Sequence, residues 1–104
     1  MNEAKLTANI VSALNKINHV WAFKIHGGPH QRAGLPDVVG VRAGTFFGLE
    51  VKLPGKEKNL TEIQAATLRR IRKAGGISAM VTSVDQAKEV VIHGGFRKTH
   101  GTSA

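Results

Sequence analysis

Leu6, Ile10, Ala13, Leu14 and Ile17 recur at the spacing that lines one face of a helix. Asn2 can cap that helix, and the pattern runs to about Asn18. The period then changes. "VWAFKI" at 20–25 is dense in strand formers. Trp21 and Phe23 alternate there with Ala22 and are expected to pack in the core rather than stack on bases. "HGGPHQRAGLP" at 26–36 reads as a loop, marked by glycines and prolines. "DVVGVR" at 37–42 and "TFFGLEVKL" at 45–53 read as strands that turn at Ala43-Gly44. Pro54 and Gly55 end the second, and "GKEKN" at 55–59 reads as a basic, exposed connection. Thr61 opens a helix with Gln64 at capping-box spacing, and Gly75-Gly76 closes it. "ISAMVT" at 77–82 is a strand, and Ser83 can cap a last helix over about 84–91.

The order α-β-β-β-α-β-α predicts an α/β (α+β) fold, a mixed central sheet flanked by helices. Val38, Phe47, Leu49 and Val51 fall on one sheet face, and Val39, Val41 and Phe46 on the other. Apolar residues on both faces imply a sheet covered on both sides. The 104 residues suit one domain, placed at 1–92, followed by a basic tail at 93–104 that is expected to be flexible.

Charge adds a partner to this picture. Fifteen Lys and Arg oppose seven Asp and Glu, a formal +8, which favours a polyanion such as nucleic acid over a merely solvated basic surface. Cysteine is absent, which excludes disulfides and thiolate metal sites. No apolar run approaches a membrane span and the first residues lack a signal-peptide layout, so a cytoplasmic protein is expected.

With so few acids, Glu3, Asp37 and Glu50 draw notice because they sit in apolar contexts. A two- or four-residue hairpin loop around Ala43-Gly44 pairs 42 with 45, and hence 37 with 50. Asp37 then lies opposite Glu50 with Cβ atoms about 4.5–5.5 Å apart. At an effective dielectric near 20, two charges about 5 Å apart repel by roughly 3 kcal/mol. Lys52, on the same strand face as Glu50, offsets part of this. A divalent cation offsets more, and oxygen ligands suit Mg²⁺ or Mn²⁺. Plainer readings stand beside this one. Asp37 also suits a strand start after Pro36, Glu50 with Lys52 a surface ion pair, and Glu3 the positive end of a helix dipole.

"LPD" at 35–37, twelve residues, then "EVK" at 50–52 resembles the PD-(D/E)XK nuclease signature, and the element order resembles that superfamily's core. From "NEAKL" through "GLPDVV", "LEVKLPGK" and "LTEIQ" to "MVTSVDQA", the chain more closely resembles the VRR-NUC family over residues 2–91. The resemblance implies a restriction-endonuclease-like core and metal-dependent hydrolysis of DNA phosphodiesters, by a stand-alone enzyme similar to Holliday junction resolvases. It implies Mg²⁺, with Mn²⁺ able to substitute, held by Asp37, Glu50 and the Val51 carbonyl with help from Glu3. It implies that Lys52 handles the attacking water and that Gln64 sits nearby, a role compatible with capping through Thr61. A homodimer acting on branched DNA such as four-way junctions, and a phage origin, also fit it. A flap or single-strand nuclease and a non-catalytic binding module remain as alternatives.

For holding DNA, Lys56 and Lys58 follow the catalytic strand, and Arg69, Arg72 and Lys73 share a helix side that could equally be solvated. His30 and Arg32 precede Asp37 in the loop, and Arg97 and Lys98 lie in the tail. His26 and His30 are four apart, but Gly27, Gly28 and Pro29 forbid the helix that would aim both at zinc.

Overall fold

A computed structural model describes residues 1–30 and 32–94 of the chain. The elements are α1 (Glu3–Leu14), β1 (Val20–Lys24), β2 (Val38–Arg42), β3 (Thr45–Val51), a 3-10 turn (Glu57–Asn59), α2 (Glu62–Lys73), β4 (Ile77–Val81) and α3 (Val84–His93). The expected α-β-β-β-α-β-α order is present. The strands lie in the order β1-β2-β3-β4, antiparallel through β3 and parallel between β3 and β4. Among the described residues no helix is long and apolar enough to cross a membrane.

Local chemistry sets most boundaries. Asn2 accepts from the Lys5 amide, and Ser83 accepts from the Gln86 amide, each satisfying a free helix N-terminal N–H. Thr61 and Gln64 form the full capping box, with bonds of 3.0 and 3.2 Å. α1 stops four residues short of the expected Asn18. Asn15 explains this, because its side-chain amide donates to the Ala22 carbonyl and accepts from the Ala22 N–H, both at 2.9 Å. The side chain thus pairs with β1 as a strand would, and the chain turns there. At the other end α3 continues to His93, two residues past its expected end at about 91. The remainder of the expected tail, 95–104 with Arg97 and Lys98, lies outside the described residues.

The β2–β3 connection is a two-residue turn in which Ala43 and Gly44 both have positive φ, 46° and 88°. Such a turn matches the twist of a hairpin. It sets Arg42 opposite Thr45 and Val38 opposite Leu49.

One sheet face is fully covered. Leu6, Ile10 and Leu14 of α1 and Ala87 and Val91 of α3 pack against Val38, Phe47, Leu49 and Val51. Gly40 sits where a Cβ would collide with the Phe47 ring and the β1 backbone, so the hairpin closes on β1 only with hydrogen at that position. Arg42 reaches under α3 and donates to the Ile92 carbonyl at 2.8 Å, a cation at a helix C-terminus.

The other face is only half covered, against the expectation of two full layers. α2 packs on β3 and β4, with Ile71 approaching Gly48 and the Leu68 carbonyl accepting from Ser78. Among the described residues no helix lies over β1 and β2 on this side. Trp21 is 66% exposed, Phe23 41% and Phe46 46%. The expectation that Trp21 and Phe23 are core residues therefore fails: alternation puts Ala22 inward and both rings on the uncovered side of an edge strand.

Candidate active site

The site grows from the hairpin register. Beyond the Val38–Leu49 pair, the next rung holds Asp37 and Glu50. Alternation aims both carboxylates to the α2 side of the sheet, and Lys52 follows two residues on. The Asp37 Oδ2 accepts from the Val51 N–H at 2.7 Å. Main chain therefore fixes this carboxylate beside Glu50, beyond the last regular pair.

Glu50 is 2% exposed and Lys52 9%. The Lys52 Nζ stands 3.7 Å from Glu50 Oε2. The second oxygen, Oε1, is buried without a hydrogen-bond partner. A buried, unsatisfied carboxylate oxygen is costly, and Lys52 relieves only one side of the group.

The Glu50 pKa is accordingly pushed up to about 8 from 4.5. Burial is the main cause, followed by the Asp37 charge and a hydrogen bond with Asp37, with Glu3 adding a smaller push and Lys52 pulling the other way. Two ionised carboxylates cannot donate to one another. A proton on Glu50 would supply the missing donor, and a cation between the carboxylates would remove the need for one.

Glu3 opens α1 and is exposed, yet its charge is felt at Glu50. It stands at the rim of the site. Among the described residues no group of three or more His, Cys, Asp or Glu side chains is gathered closely enough to hold a metal ion. Asp37 and Glu50 are the pair that comes together.

Gln64 is engaged in the α2 capping box. Of the basic candidates, His30, Arg32, Lys56, Lys58, Arg69 and Lys73 are exposed. The turn at Pro54-Gly55, closed by a 2.9 Å bond from the Lys56 N–H to the Leu53 carbonyl, brings Lys56 out directly after the Lys52 strand. Arg72 is tethered, its Nη1 donating to Ser78 O at 3.2 Å and Ser78 Oγ at 3.0 Å. Helical spacing alone passes over Arg70, which with Arg32 borders a cavity of about 410 Å³ floored by Leu35, Phe46 and Ile71. Only the docking of α2 on β3 brings those two arginines together.

No protein-family model and no curated protein matches the chain. Among solved structures it is similar to Hjc, a Holliday junction resolvase from the archaeal hyperthermophile Archaeoglobus fulgidus. The identity is 15% and the TM-score 0.50, covering 77% of this chain and 67% of that one. The likeness shows a shared fold: the mixed sheet and its flanking helices are resolvase-like. The VRR-NUC resemblance rests on the motifs quoted above.

Proposed function

We propose that the protein is a divalent-metal-dependent endonuclease that cuts branched DNA, of the VRR-NUC type. The observation that carries this is half-buried Asp37 facing buried Glu50, with the unsatisfied Glu50 Oε1 and with Lys52 alongside. A structural pair would gain nothing from two facing carboxylates, because breaking or unbalancing a buried charge group costs stability.

The donor set fits Mg²⁺, with Mn²⁺ able to substitute. Asp37 and Glu50 would hold it together with the Val51 carbonyl, whose N–H partner already leaves the strand on the Asp37 side. Mg²⁺ takes one or two carboxylates and keeps several waters, so a third acid within bonding reach is not required. When bound, the ion supplies Lewis-acid polarisation of the phosphate and a more acidic water.

The chain's own groups do the rest. Water oxygen attacks phosphorus, the bond to one ester oxygen breaks, and that oxygen leaves as a hydroxyl after taking a proton. Lys52 orients the water and stabilises the negative charge that grows on the phosphate oxygens. Its position at the end of a buried strand keeps the ammonium from swinging away. Glu3, at the rim, supports the water or a second ion. Gln64 braces the start of α2 through its capping bonds with Thr61. Lys56, Lys58, Arg32, His30 and the Arg69/Lys73 side of α2 take flanking phosphates, which gives position rather than sequence. The resolvase-like fold and the small reading surface favour selection by DNA shape, with two copies of the chain providing paired cuts.

A cleavage panel tests this reading: four-way junction, Y-fork, flap, duplex and single strand, each with Mg²⁺ or EDTA, alongside solution mass. Junction cleavage in Mg²⁺ and none in EDTA is expected. Binding without cleavage in either Mg²⁺ or Mn²⁺ identifies a non-catalytic module instead, and preferential flap cutting identifies a flap nuclease.

A further inference from the structure

We infer that the exposed aromatic residues of β1 and β3 form a stacking platform for unpaired nucleobases. The inference rests on the nuclease reading for the nature of the polymer, but on separate residues for its argument.

Successive rungs on this face carry Trp21, Val41 and Phe46, then Phe23, Val39 and Gly48, then Asp37 with Glu50. Strand rise places the Phe23 rung roughly 7 Å from the carboxylates and the Trp21–Phe46 rung about 13 Å away. The three rings are exposed, and Trp21 and Phe23 lie 5.2 Å apart with their planes tilted by 43°. Three exposed aromatic residues on one face are not the usual composition of a solvated surface. They offer π-faces at the end of the sheet away from the carboxylates, because in the middle rung Val39 is buried and Pro36 and Ile71 close over Gly48.

Charge identifies the occupant. Arg32 and Arg70 border the cavity that Phe46 floors, so the Phe46 end of this surface is edged with guanidinium groups. Aromatic surface beside arginine is the combination that holds single-stranded nucleic acid, with bases stacked and phosphates paired. A second copy of the chain suits the face less well. Symmetric packing here would bring both arginines of each protomer against those of its partner, in a chain of formal charge +8. Base-paired DNA suits it less well too, since its base faces are already stacked. The expected ligand is an unpaired segment, as at a fork, a flap or a junction whose central pairs have opened, and this favours such DNA over plain duplex.

Trp21 is the one tryptophan in the chain, so its emission reports on this face alone. The protein is titrated with short oligothymidylate, and separately with a blunt duplex of equal length, in EDTA so that no strand is cut. Quenching of Trp21 by the single strand and little by the duplex is expected. Phe23→Ala and Phe46→Ala should each weaken single-strand affinity roughly 5- to 150-fold, with a far smaller effect on duplex. Trp21→Phe should keep the affinity that Trp21→Ala loses. Quenching equal with both DNAs, or single-strand binding with unchanged emission, overturns the platform. So does a dimer that Trp21→Ala dissociates without changing single-strand affinity, since that assigns the face to a second copy. Because the assay is metal-free, quenching without any Mg²⁺-dependent cleavage would sink the nuclease reading and leave the platform standing. Cleavage that is indifferent to Trp21→Ala, with unchanged emission, would do the reverse.

Discussion

Asp37 accepts a 2.7 Å hydrogen bond from the amide of Val51, one residue past the Glu50 it faces. The bond ties the first carboxylate to the strand that carries the second. Neither acid can move away from the other without breaking main-chain pairing, so their repulsion is built into the hairpin.

That repulsion has a pH signature. In the metal-free protein the Glu50 pKa is raised to about 8, above its ordinary 4.5. Between these values the folded state binds more protons than the unfolded state, so stability falls as pH rises through that window. Urea unfolding in EDTA should show a midpoint that drops from pH 5 toward about pH 8, and Glu50→Gln should flatten the dependence. Mg²⁺ must displace the same proton, so its apparent affinity should rise over the same window.

Glu50→Gln and Lys52→Met should separate stability from chemistry. Glu50→Gln removes one of two facing charges: at pH 8 in EDTA it should raise the thermal midpoint, and in Mg²⁺ it should reduce cleavage by more than the 10–100-fold typical of outer-shell metal partners. Lys52→Met should leave Mn²⁺ binding intact or tighter, because it deletes a competing cation, and still remove cleavage. Calorimetric titration with Mn²⁺ beside a cleavage rate checks both.

Basic residues should divide by attachment. Lys58 is exposed in the turn after β3, and Lys58→Ala should reduce the salt slope of DNA binding by about 1. Arg72 is tied to Ser78, so Arg72→Ala should lower the thermal midpoint and leave most of the salt slope in place.

The hairpin turn can be improved. Ala43 has a φ of 46°, a left-handed conformation costly for a residue with a Cβ. Ala43→Gly or Ala43→Asn should stabilise the protein by about 0.5–1 kcal/mol, a few degrees in Tm, with the register and cleavage unchanged.

These predictions depend on features of unequal visibility in the sequence. Asn2, Ser83 and the Thr61–Gln64 box announce their helices because capping is local, satisfied within three residues. The meeting of Asp37 and Glu50 follows from a two-residue turn and strand alternation, also local rules. The early end of α1 is different. It depends on Asn15 finding Ala22 across a loop, and nothing in the helical spacing signals that. Trp21 and Phe23 are different again. Their period marks them as facing one way, but only the placement of α2 over β3 and β4 decides whether that side is core or surface. Glu3 shares the inward stripe by spacing, yet at the first turn it reaches the rim of the site and stays exposed.

The most direct test is diffraction from crystals soaked in Mn²⁺, recorded for its anomalous signal. One peak between the residue 37 and 50 carboxylates, at roughly the 2.0–2.2 Å expected of metal–oxygen bonds and absent in Asp37→Asn, is predicted. Clean density there with no peak, at Mn²⁺ concentrations that support DNA cleavage, would contradict it.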